Sequence, residues 1–255
     1  MLGYGVRSKP NPARGRAGDH LHGASMDREF WLERWQRSEI GFHQQEINAH
    51  LQDYWAHLDL PAGSRVFVPL CGKSRDLLWL RARGHTVLGV EISSIAVRDF
   101  FAENALTPQA ARQGAFERCE VDGLEILCGD FFDLTPQHLQ GVAGVYDRAS
   151  LIALPPELRV RYAEHSATIL PAGVGTLLVT MEYPQAEMSG PPFSVGEDEV
   201  RSLYGARYAV THLHTQDILA ENPRFRERGL SALREKVYRL GARGLIPAST
   251  SIHKK

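Results

Sequence analysis

Three cysteines among 255 residues, Cys71, Cys119 and Cys128, are too few for a disulfide framework and cannot all pair with one another. None stands in a CxxC pair, so the usual zinc-ribbon pattern is missing as well. No apolar run reaches the roughly 20 residues that a membrane-spanning helix needs, and the first residues contain no apolar signal-peptide segment. Neither sign of charge is in excess. The chain has 29 Lys and Arg against 30 Asp and Glu, a formal net charge of −1, whereas nucleic-acid binders carry a basic surplus on one face. A reducing cytoplasm is the expected setting, with neither a membrane nor a nucleic acid as partner. What is present suits one α/β domain: 43% apolar residues, enough for a core, and an ordinary 23% charged.

Residues 1–25 are rich in Gly, Pro and Arg and show no hydrophobic period. They hold four basic residues and one acid, so the remainder carries a charge of −4. They read as a disordered leader or an extension; a basic arm for an anionic partner is the other reading. The folded unit is expected over 26–245, with a tail at 246–255. From Met26 the pattern alternates. Residues 27–37 place Trp31 and Trp35 on one helical face, and 44–57 read as a second amphipathic helix. Strands are expected at RVFVPL, at Thr86–Val90, in a hairpin of Phe116–Val121 and Leu124–Cys128 turning at Asp122-Gly123, at Ala143–Tyr146 and at Gly175–Met181. Helices are expected after CGKS, over Ile95–Glu103, over Glu157–Leu170 and near Glu197–Leu203, with closing strands around Tyr208–Leu213 and Lys236–Leu240. Strands spaced by helices imply a doubly wound, mostly parallel sheet with an antiparallel edge.

The most informative stretch runs from Arg65 to Ser93, RVFVPLCGKSRDLLWLRARGHTVLGVEIS. An apolar strand leads into a glycine-containing turn and a helix, and a second strand ends in an acid, Glu91. In doubly wound folds that order binds a nucleoside cofactor: the glycine allows close backbone approach and the acid accepts the ribose hydroxyls. The turn is not GxGxxG, and one glycine wraps a pyrophosphate poorly, which favours S-adenosylmethionine over NAD. Lys73-Ser74 lacks the first glycine of a phosphate loop, since Phe67 stands there. The alternative for Glu91 is a surface acid capping the next helix. Asp130 and Phe131 follow the strand Leu124–Cys128; in methyltransferases of this architecture an acid there typically meets the adenine amino group and the next side chain packs on the ring, and an acid at a turn beside a core Phe is the alternative.

The strings FWLERW-x6-FHQ, VFVPLCGKS, RGHTVLGVEIS, DRASL and GPPF, in this order from Phe30 to Leu240, resemble the thiopurine S-methyltransferase family. The resemblance implies a class I S-adenosylmethionine-dependent methyltransferase with a seven-stranded sheet, acting on the sulfur of a small heteroaromatic thiol; a monomer is expected. It also links bacterial relatives to selenium and tellurium compounds. By position it implies cofactor contacts at Trp31, Trp35, Leu70, Glu91 and Arg148, more loosely at Asp130 and Phe131, and a substrate-side aromatic at Phe42. It makes the Trp31–Trp35 face a lid rather than the core surface that helical spacing alone suggests. The segment YDRAS departs from the WDRGAL of many relatives but keeps the arginine.

Arg148 also fits the chemistry, because a guanidinium at the carboxyl end of a strand can hold a carboxylate or attract a thiolate; an ion pair with Asp147 is the alternative. Phe193 of GPPF is a further candidate for the substrate wall. His212 and His214 alternate in a strand and are expected to share a face, with no third ligand for a metal. Cys71 reads as a small buried residue, since methyl transfer needs no enzyme nucleophile. No catalytic residue is expected. A nucleotide-dependent oxidoreductase on a related sheet and a non-catalytic cofactor-binding protein are the competing classes. A base methyltransferase is disfavoured by the acidic body and by MEYP in place of (N/D)PP(Y/F).

Overall fold

The computed structural model describes residues 22–243. The expected leader 1–25 lies outside the described residues except for 22–25, which open the first helix, and the tail 246–255 lies outside them altogether. Helix α1 (His22–Gln36) is followed by a long loop, then α2 (Ala49–Tyr54), which continues as a 3-10 turn through Leu58. The second helix therefore starts five residues later than its amphipathic pattern suggested. Asn48 caps it, its side chain accepting from the Leu51 amide, which sets the start.

Strand β1 (Arg65–Val68) leads to α3 (Asp76–Ala82), β2 (Thr86–Glu91) and α4 (Ser94–Glu103). Then come β3 (Gln109–Gln113), β4 (Phe116–Val121), β5 (Leu124–Cys128), β6 (Val142–Arg148), the short α5 (Ser150–Ala153) and α6 (Pro156–Ile169). The last third is β7 (Gly175–Glu182), α7 (Glu197–Tyr204), β8 (Tyr208–Asp217), α8 (Pro223–Glu227) and β9 (Arg234–Ala242). Among the described residues these strands form one sheet of nine, in the order β3-β4-β5-β2-β1-β6-β7-β9-β8. Strands β5, β2, β1, β6 and β7 run parallel, while β9 and β8 close one edge antiparallel. These seven match the sheet that the resemblance implies. β4, expected as one arm of the hairpin turning at Asp122-Gly123, and β3 extend the opposite edge as antiparallel strands. β3, QAARQ, escaped the sequence reading because every one of its residues is exposed, so it has no buried side to leave a pattern.

The central strands read as continuous apolar runs because both of their faces are covered. Val66 and Val68 face a layer that includes Leu77, Leu80 and Phe100, and Phe67 faces one that includes Leu139, Leu151 and Tyr162. Gly89 marks where β2 meets the turn after β1: a β-carbon there would lie 2.8 Å from Cys71 Sγ.

One expectation fails at the edge. A bulge between His212 and His214 shifts the register, so His212 stands opposite Tyr238 and His214 opposite Val237. Tyr238 and Val237 belong to opposite layers of the core, and the two histidines follow them. His214 stacks on Tyr54, while His212 bonds Thr215 Oγ1 at 2.8 Å. Strict alternation cannot anticipate a residue inserted in the strand.

Candidate active site

The loops that leave β1, β2, β5 and β6 meet at the carboxyl edge of the sheet, under α1 and the loop that follows it. There they enclose a cavity of about 580 Å³, within the usual range for a small-molecule site. Trp31, Trp35, Phe42, Leu70, Glu91, Asp130, Phe131 and Arg148 all line it. Eight residues spread from position 31 to position 148 thus come together as the sequence reading required.

Two non-glycine residues with left-handed backbone stand at the strand ends that face the cavity, Leu70 (φ 44°) after β1 and Ala149 (φ 70°) after β6. Such conformations cost free energy and persist where the surrounding structure enforces them, often at functional sites. The turn is completed by Gly72 (φ 53°), a left-handed conformation that favours glycine, with the Trp35 indole packed beside it.

Glu91 is buried, not a surface cap. Its Oε2 accepts from the Gly72 amide at 2.9 Å and its Oε1 from the Ser93 amide at 2.8 Å. Burial pushes its carboxyl above the usual carboxylate range, although the Ser93 and Gly72 amides pull it back. The capping role the sequence offered to Glu91 belongs instead to Ser93, whose Oγ accepts from the Ala96 amide. A fixed carboxylate is thus presented beside the glycine of the turn. The turn provides no nest of amides for a pyrophosphate. That donor set fits a ribose without attached phosphates.

Arg148 does not pair with Asp147. Its Nε donates to Asp76 Oδ2 at 3.0 Å, one terminal nitrogen to Gln44 Oε1 at 3.1 Å and the other to Ser74 Oγ at 3.4 Å. Asp76 is almost wholly buried and also accepts from the Tyr146 hydroxyl at 3.1 Å and from the Asn48 amide at 2.9 Å. Burial works against the charge on Arg148, but Tyr146 and Asp76 more than offset it, so the guanidinium stays cationic. Asp147 points to the other layer, where its Oδ2 accepts from the Tyr162 hydroxyl at 2.7 Å. Sequence reasoning missed Asp76; the available signal was an acid at the first position of a helix whose neighbours Leu77 and Leu80 are core.

The aromatic wall is a row of edge-to-face contacts. Phe42 meets Trp31 at 5.3 Å and Trp35 at 5.6 Å between ring centroids. Trp35 is buried, Trp31 half-buried and Phe42 42% exposed, so the row runs from the floor of the cavity to its mouth. Asp130 holds the Phe132 amide through Oδ1 at 2.9 Å. Phe131 is buried and stacks on Tyr162 with centroids 4.7 Å apart, so it belongs to the core as well as to the cavity lining. Phe193 is not among the lining residues; its ring lies 5.8 Å from the Arg159 guanidinium, and Gly190–Pro192 line the wall instead. Burial, with Glu91 nearby, raises the Cys71 thiol well above its ordinary pKa, so it is a packing residue and no nucleophile. Among the described residues no cluster of three His, Cys, Asp or Glu could hold a metal ion, and no helix is long and apolar enough to cross a membrane.

The solved structures that resemble this one share its fold. A 1,6-didemethyltoxoflavin-N1-methyltransferase from Burkholderia thailandensis, solved with S-adenosylhomocysteine, superposes with a TM-score of 0.60 at 16% identity, covering 91% of this chain and 94% of that one. A SAM-dependent methyltransferase from Anabaena variabilis gives 0.59 at 10% identity, covering 85% and 95%. The sequence relatives are far nearer. A thiopurine S-methyltransferase from Nitrosospira multiformis is 54% identical over 218 residues, 86% of this chain and 99% of the relative. One from Azotobacter vinelandii is 52% identical over 86% and 100%. The family profile described as thiopurine S-methyltransferase matches residues 26–243. With its fold, the turn at Gly72 and the acid at Glu91 all in the expected places, the chain belongs to the thiopurine S-methyltransferase family.

Proposed function

We propose that this protein transfers a methyl group from S-adenosylmethionine to the sulfur of a small heteroaromatic thiol of the thiopurine kind. The observation that carries the reading is Glu91: a buried carboxylate fixed by two backbone amides, one from the single-glycine turn, in a cavity with Arg148. That arrangement suits a nucleoside donor without phosphates and speaks against a dinucleotide oxidoreductase. When bound, S-adenosylmethionine supplies an electrophilic methyl group on a sulfonium.

The residues of the chain do the rest. Glu91 takes the ribose hydroxyls, and Asp130 and Phe131 take the adenine end. Leu70, Trp31 and Trp35 pack against the cofactor and exclude water from it. Arg148 holds a carboxylate or draws a thiolate toward the centre, and Phe42 forms the apolar wall for the thiol. The reaction is an in-line displacement, so catalysis rests on alignment more than on a nucleophile.

The substrate is a small molecule, and the working form proposed is a cytoplasmic monomer without nucleic-acid or membrane partners; light scattering on purified protein tests the monomer. Calorimetry with S-adenosylhomocysteine and with NAD tests the cofactor, and methyl transfer from labelled donor to a panel of heteroaromatic thiols, with selenium and tellurium compounds included, tests the acceptor. Binding of NAD in place of S-adenosylhomocysteine would overturn the reading.

A further inference from the structure

A neutral thiol must lose a proton when its sulfur takes a methyl group, so some group at the cavity must receive one. Five carboxylates line it: Glu39, Asp76, Glu91, Asp130 and Glu235. Four are engaged or misplaced. Glu39 is paired with Arg34 at 2.8 Å. Asp76 already accepts from three donors, and each oxygen of Glu91 accepts from an amide. Asp130 stands after β5, at the end assigned to the adenine. His43 also lines the cavity, but burial and the cations Lys73 and Arg148 oppose its protonation, Glu103 acting the other way.

Glu235 differs from all of these. β9 runs antiparallel to β7, with Glu235 opposite Met181, and Arg148 on β6 faces Val179 of the same β7. The two residues therefore stand two strands apart, roughly 10 Å across the sheet, and two positions apart along β7. Oε2 of Glu235 lies 3.0 Å from Nε2 of His50, which is 3% exposed, while Oε1 has no protein partner among the described residues. His50 in turn packs on Tyr54 and His214. Glu235 is also near enough to influence the Tyr146 hydroxyl and Arg148, and Arg228 lines the same cavity. Its neighbour Lys236 is paired with Glu182 at 2.6 Å.

We infer that Glu235 is the proton acceptor for the thiol and that His50, whose Nε2–H faces Oε2, is the positioning residue that holds it. This rests on the methyl-transfer reading above. The S–H bond breaks with its electron pair left on sulfur, and the proton passes to Oε1 of Glu235. The same sulfur forms the new bond to the methyl carbon, while the pair of the methyl–sulfonium bond returns to the departing thioether sulfur. One proton is left on Glu235, with His50 still donating to its other oxygen.

The test uses the full chain loaded with S-adenosylhomocysteine and a heteroaromatic thiol whose absorbance changes on ionisation, at a pH below the free thiol's pKa. The wild type is expected to bind it as the thiolate and E235Q as the neutral thiol, since the amide still bonds His50 but accepts no proton. In turnover, E235Q should lose about 100-fold in kcat on that thiol, the scale of a general base, and little on one already ionised at the assay pH. Equal losses on both thiols, or a neutral bound spectrum in the wild type, would overturn the inference while leaving the functional reading intact. A wild type that methylates neither thiol would sink that reading instead. If E235Q fails to bind S-adenosylhomocysteine, H50Q is judged by the same spectrum.

Discussion

The indole of Trp35 lies over Gly72, where a β-carbon would sit 3.5 Å from its Cζ2 atom. Helix α1 is thus packed on the cofactor turn, and Trp35 is both buried and part of the cavity wall. The sequence offered core and lid as alternatives for this residue, and the fold makes it a core residue that also lines the cavity. Trp35→Ala is therefore expected to cost about 3 kcal/mol of stability, the low end for a buried Trp truncation. It should also weaken S-adenosylhomocysteine at least tenfold. Trp31→Ala, half-buried, should cost clearly less. Urea unfolding and calorimetry read both effects, and a Trp35→Ala protein with an unchanged midpoint would show the indole is not packed.

Glu91→Gln places an NH2 group against one of the two backbone amides that now point at the carboxylate. A donor facing a donor, with the charge gone, should weaken S-adenosylhomocysteine by about 2–3 kcal/mol. Calorimetry measures it; an unchanged dissociation constant in a folded variant would remove Glu91 from the ribose.

Asp76→Ala would strip Arg148, Tyr146 and the Asn48 amide of their common acceptor. Breaking a buried pair from one side costs about 3–5 kcal/mol, because the remaining charge is left without its partner. Arg148→Lys is milder for stability but loses the three-way grip on Asp76, Gln44 and Ser74, so cofactor affinity should fall more than the melting temperature does. Thermal melts and titrations on the two variants separate these effects.

Burial raises the Asp147 carboxyl from 3.8 to about 6. The folded state therefore holds its proton more tightly than the unfolded chain does. The stability this group contributes is full below about pH 4 and is lost as pH rises through 6. The difference is about 3 kcal/mol at 1.36 kcal/mol per pKa unit. Asp147→Asn, which can still accept from Tyr162, should flatten the decline in stability between about pH 4 and pH 6. Denaturant midpoints across that range check it, and an equal slope in the two proteins would refute the assignment.

How far the sequence spoke depended on periodicity and local chemistry. The parallel core was legible because fully buried strands such as VLGV have no polar interruption, and the turn at Gly72 was legible because strand, glycine, helix and acid stand in fixed order. The hub at Asp76 was not, since its three donors come from an N-cap amide, a tyrosine and an arginine that only the fold brings together. Glu235 was hidden in a strand where acid and base alternate, REKVYR, and nothing local tells which one faces a cavity. The bulge at His212–His214 was invisible for a similar reason: pairing with β9, not the sequence of β8, creates it.

The segment between Trp35 and Asn48 is tied at one end by the indole on Gly72 and at the other by the Asn48 amide on Asp76. Between these anchors Gly41 meets Arg224 and Gln44 holds Arg148, while the Phe42 ring meets Trp31 and Trp35. The strap therefore ties the helix that carries the indoles to the hub that carries the guanidinium, and a change of length in it would be felt at both.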